Sequence, residues 1–175
     1  MGDRAALVEE WSFRLAEAAA PDEAILAPTI AEAFIAGGKQ RRQLFEESSG
    51  TLGGFGAGSL ALVMPGLLSA IATVGPLLLA ALSSPLSGNL IDALDTCVKF
   101  LTMREENRST GDTAPAPLPP EPELAPVLKV LDTMQAEMRA KGLTAEASEA
   151  AAYRSLKALF ADPPGAAQFV EAVAS

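Results

Sequence analysis

Residues 60–82 read LALVMPGLLSAIATVGPLLLAAL, and the fold turns on how this stretch is read. It holds eleven branched aliphatic residues: Leu60, Leu62, Val63, Leu67, Leu68, Ile71, Val74, Leu77, Leu78, Leu79 and Leu82. From Ser48 to Ile91 no residue carries a formal charge. Leucine and alanine are strong helix formers. A helix over 59–83 would be about 37 Å long at ~1.5 Å per residue, enough to cross a hydrocarbon core of about 30 Å. Its mean hydropathy of roughly 2 is in the spanning range, and the eleven aliphatics would favour insertion by roughly 3–6 kcal/mol. Pro65, Pro76, Gly66 and Gly75 subtract from that figure.

Two readings of the segment follow. In the first it leaves water for a bilayer, as one span or a shallow re-entrant loop. In the second it is the core of a soluble bundle, because a helix apolar on all sides can be buried by its neighbours. Pro65 and Pro76 would break a soluble helix into shorter pieces. Basic residues flank the segment evenly, with Lys39, Arg41 and Arg42 before it and Lys99, Arg104 and Arg108 after it. They therefore set no orientation.

The preceding glycines add a second feature. Gly50, Gly54, Gly58 and Gly66 share one helical stripe. Small-residue stripes let helices approach closely in lipid, which would favour homo-oligomers. A flexible loop is the competing reading, since each glycine costs a helix about 1 kcal/mol. A phosphate-binding loop does not fit, because no lysine lies between Lys39 and Lys99.

Outward from the segment, the pattern is helical throughout, and the chain is expected to be all-α. Leu7, Val8, Trp11 and Leu15 mark an amphipathic helix over 3–20, with Asp3 as its N-cap. Pro21-Asp22 breaks it. Thr29 and Glu32 form a capping-box pattern that opens another helix, and Gly37-Gly38 ends that one. Residues 83–89 form a turn before a helix over 89–104 whose face carries Leu90, Ile91, Leu94, Val98 and Leu101. The Ala/Pro-rich run 113–120 predicts an extended linker. Beyond it, Leu124, Val127, Leu128, Leu131, Met134 and Met138 form the apolar face of a helix over 123–141. Gly142 ends that helix, Thr144 caps the next over 145–161, and a last helix covers 166–174. The expected architecture is a helical bundle around one apolar segment, with a Pro-rich linker to a small C-terminal helical unit. Its parts are residues 1–48, 49–104, 105–122 and 123–175.

Composition bounds the function. Of the 175 residues 49% are hydrophobic and only 5% aromatic, and the net charge is -9. That charge repels phosphate backbones, which argues against nucleic-acid partners. The chain has no histidine and one cysteine. This removes the commonest general base and metal ligand and any internal disulfide. Cys97 lies near an apolar helix face and reads as a small packing residue. The carboxylate pairs Glu9-Glu10, Glu46-Glu47 and Glu105-Glu106 are adjacent, so they do not converge on one helix face. No catalytic, cofactor or metal site is expected. The N-terminal region, with Arg4, Glu9 and Glu10, does not resemble a cleavable signal peptide, so cytoplasmic synthesis is the default.

Two functional classes remain. One is a non-enzymatic protein that associates with or inserts into a membrane, as an oligomerising pore-forming effector or as an accessory subunit of a membrane complex. Its partners would be a lipid bilayer or a membrane protein. The other is a soluble helical adaptor or assembly protein whose apolar segment is its core. In either, the face of Leu124, Val127, Leu131, Met134 and Met138 is the expected contact for a protein partner.

Overall fold

The computed structural model describes residues 2–49, 63–84, 87–106 and 125–174. Among them are eight α-helices and no strand: α1 Gly2–Ala19, α2 Ala27–Ala36, α3 Gly38–Ser49, α4 Val63–Leu82, α5 Ser87–Glu106, α6 Ala125–Ala140, α7 Ala145–Ala161 and α8 Pro163–Ala174. A 3-10 turn, Pro21–Glu23, links α1 to α2. The expected all-α bundle around an apolar helix is what forms.

The apolar stretch becomes α4, packed against α2, α6, α7 and α8. It is one continuous helix, which corrects the expectation that its prolines would break it. Pro65 falls in the first turn, where a missing N–H takes nothing from the helix ladder. Pro76 is internal but exposed. The carbonyl that loses its i+4 donor belongs to Ala72, a half-buried residue. From Met64 to Ile71 every residue is buried. Beyond that the helix turns amphipathic, with Thr73, Pro76, Leu77 and Ala80 on one exposed stripe.

The remaining helices wrap this strut. On α1, Val8, Trp11 and Leu15 are buried, and Trp11 stacks on Phe169 of α8 with ring centroids 5.9 Å apart. α2 starts at Ala27 with Pro28 in its first turn. The proline's fixed φ is preorganised for that place, so Thr29 lies inside the helix and the expected capping box is not its start. Gly37, at φ 69°, ends α2 in a conformation that side chains disfavour. α8 likewise begins earlier than expected, at Pro163, with the Asp162 carboxylate accepting from Gly165 N at 3.3 Å.

The α6–α7 corner follows its sequence signals closely. Leu143 N donates to Met138 O at 3.1 Å and Gly142 N to Arg139 O at 3.0 Å, with Gly142 at φ 98°. This is the paired-bond glycine ending of a helix. Thr144 then accepts from Ala147 N at 3.2 Å and opens α7. α7 packs on α1, α4, α5, α6 and α8, and Ala150, Ala151 and Ala152 let those neighbours close in. One apolar cluster runs from Val8 to Val173, so the C-terminal helices share a core with α1 and α4.

Candidate functional site

The junction between the first inter-helix turn and the start of α4 holds the most unusual side chain in the bundle. Glu23 ends the 3-10 turn and is only 2% exposed. Its Oε1 accepts from Val63 N at 3.2 Å and its Oε2 from Met64 N at 2.9 Å. The first amides of a helix have no partner within it, and the helix dipole favours a negative charge there. Glu23 takes two of those amides, and the third position is Pro65, which has no N–H. A carboxylate 40 residues away in the chain therefore caps the most apolar helix of the fold.

Burial pushes the Glu23 carboxyl above its ordinary value of 4.5. The Met64 and Val63 amides pull the other way, and neighbouring Asp22 adds to the rise. Being closed off from water, the group is placed to hold α4 and not to meet a dissolved substrate.

α4 itself is fitted by its glycines. A Cβ at Gly66 would lie 3.1 Å from Leu143 Cδ1 and 3.8 Å from Met138 Cγ. A Cβ at Gly75 would lie 2.9 Å from Ala174 Cβ. Gly66 is thus a close-approach point between α4 and the end of α6, and Gly75 one between α4 and α8. Gly66→Leu should destabilise the fold by about 1–3 kcal/mol through overpacking. Thermal melting would show this as a lower Tm, with no change in sedimentation; an unchanged Tm would contradict the packing described.

Of the other residues singled out by sequence, Leu67, Leu68, Ile71, Val74, Leu78 and Leu82 are core. Val63 and Leu79 are half-buried, and Leu77 is 38% exposed. Leu60, Leu62, Gly50, Gly54, Gly58 and Leu124 lie outside the described residues. Val127, Leu131, Met134 and Met138 are buried, on the helix that packs against α4 and α7. The expected partner face is thus spent on the chain's own core, because an apolar stripe next to a more apolar helix buries against it.

The outer helices carry the surface features. α5 rests chiefly on α7, tied there by Asp95, whose carboxylate meets Lys157 of α7 and lies 2.6 Å from Lys99 Nζ. Lys157 first, then Lys99, hold the Asp95 carboxyl down at about 2, so the tie persists to strongly acid pH. Phe100 and Met103 of α5 are exposed, as are Phe13, Ile25 and Leu26. Between α1 and α2 lies a groove of about 270 Å³ lined by Val8, Ile35, Glu9 and Glu32 among others. Among the described residues no three His, Cys, Asp or Glu side chains gather as metal ligands.

The sequence reading missed both Glu23 and the groove. Glu23 sits in a short polar break, and nothing in its local spacing ties it to residues 63 and 64. One helix of the described residues, α4, is long and apolar enough to cross a membrane, and 61% of its most apolar window is buried inside the bundle. No known protein family, curated protein or solved structure matches the chain.

Proposed function

We propose that this chain is a non-enzymatic, water-soluble helical adaptor or assembly module, which keeps its apolar segment as core and binds a protein partner through its outer helices. The observation that supports this most is the fit of α4 into its own bundle. At Gly66 and Gly75 a side chain would crowd Leu143 and Ala174, and Glu23 closes the helix's first turn. Such fitting suits a helix that stays within its own bundle. The lack of histidine and the scattered carboxylates favour a binding role over catalysis.

A second reading rests on a specific observation. α4 spans 20 residues with a mean hydropathy of 1.9 and no formal charge, which suits a helix delivered to a bilayer by a pore-forming or membrane-accessory protein. Flotation with liposomes and carbonate washing of membranes from expressing cells separate the two. The soluble reading expects a folded protein that stays at the bottom of the gradient and in the carbonate supernatant. Carbonate-resistant membrane association would overturn it in favour of insertion.

A further inference from the structure

The groove between α1 and α2 combines a recessed apolar surface with an excess of negative charge, two carboxylates to one guanidinium. Val8 is 3% exposed and Ile35 half-buried, so its apolar part lies deep. Glu9 of α1 and Glu32 of α2 line it from facing helices and are both exposed. Neither carboxylate is engaged in an ion pair among the described residues. Arg4 is the one basic side chain among the described residues that line the groove. Its guanidinium donates to Ala172 O on α8 at 2.7 Å, which fixes one end of it against the bundle while its charge offsets one of the two carboxylates.

We propose that this groove docks a protein partner through one apolar anchor side chain flanked by lysine or arginine. This rests on the adaptor reading and gives it a surface and a partner chemistry. The volume sets the scale, since about 270 Å³ falls below the ~300–1,000 Å³ of ordinary small-molecule sites. It suits one large side chain of the kind that anchors protein interfaces. The charge sets the flanking chemistry. Two exposed carboxylates against one guanidinium in the lining attract a cation, within a chain whose net charge of -9 adds a long-range pull of the same sign. An acidic or purely apolar partner would leave that excess negative charge uncompensated.

The test uses the full chain and a labelled alanine-based helical peptide carrying one leucine between two arginines, followed by fluorescence anisotropy. A twin peptide with glutamates in place of the arginines is the control. The basic peptide should bind and the twin should not. The double variant Glu9→Gln/Glu32→Gln changes only exposed side chains, so it should keep the fold. It should weaken binding roughly three- to tenfold, the worth of two exposed ion pairs. Ala36→Trp, at an exposed position lining the groove, should fill it and abolish binding; circular dichroism checks that it folds, and Ala5→Trp serves the same purpose from α1. The proposal is overturned if the basic peptide does not bind, if the twin binds equally, or if the double variant binds as the wild type does. A chain that is soluble and ignores the peptide loses the groove alone, whereas a carbonate-resistant chain loses the adaptor reading itself.

Discussion

Glu23→Ala should lower stability by about 2–4 kcal/mol and the Tm by roughly 4–16 °C. The change removes the acceptor for two amides at the head of α4. Met64 is fully buried, so water cannot replace the lost partner at its N–H. An unsatisfied buried donor costs about 1–3 kcal/mol, and loss of an N-cap typically about 1 kcal/mol. Relief from burying a carboxylate offsets part of this. Glu23→Gln keeps the volume and one carbonyl acceptor but turns an amide NH2 toward a donor, so it should fall between. Urea unfolding followed by circular dichroism ranks the three proteins. Equal midpoints for wild type and Glu23→Ala would mean that the carboxylate does not hold the helix.

The same group gives a pH signature with a definite sign. Its folded value is raised above the unfolded 4.5, chiefly by burial. The folded state therefore binds the proton more tightly than the unfolded chain does. The stability contributed is fully present below pH 4.5 and is lost as pH rises through the higher folded value. The gap between wild type and Glu23→Ala should thus widen as pH falls toward 4.5. Asp95 has the opposite sign, since Lys157 and Lys99 depress its carboxyl, but its window lies far lower, near 2. The two groups therefore act in separate ranges.

How much of this was written in the sequence varies with how local the cause is. The α6–α7 corner was legible to the residue, because Gly142 and Thr144 act on backbone groups within a few positions of themselves. The amphipathic faces of α1 and α5 were legible too, since a 3.6-residue period needs only one helix to be seen. What a single helix does not show is which neighbour takes each apolar face. Met134 and Met138 form a good apolar stripe, but whether it meets another protein or α4 depends on where α6 docks. In α7 the charges Glu146, Glu149, Arg154 and Lys157 interrupt the apolar pattern, so its period does not show how many helices pack on it. Its three consecutive alanines were the overlooked sign that helices close in on several sides. Glu23 was illegible for the same reason, as its bonds run to residues 63 and 64. In α4 itself nine aliphatics over 20 residues could not reveal that one stripe of the helix faces water.

That exposed stripe supplies the sharpest test of what α4 is. Ile71 is fully buried and Leu77 is 38% exposed, yet the two are similar in hydropathy and lie on the same helix. In a soluble core the faces are unequal. Ile71→Ala should cost about 2–5 kcal/mol through lost burial and the cavity left behind, and the Tm should drop by roughly 4–20 °C. Leu77→Gln replaces a side chain already near water and should stay within about 0.5 kcal/mol. In a bilayer the asymmetry would vanish or reverse. A truncation to alanine there removes only packing, whereas a glutamine facing hydrocarbon is a desolvated amide. Thermal melts of the two variants, read beside flotation of each with liposomes, therefore report on the environment of the helix. A large loss for Ile71→Ala with a silent Leu77→Gln is the pattern of a core strut. Comparable losses at both positions would mean that the stripe is covered in the functional state, and that the bundle gives up α4 to another surface.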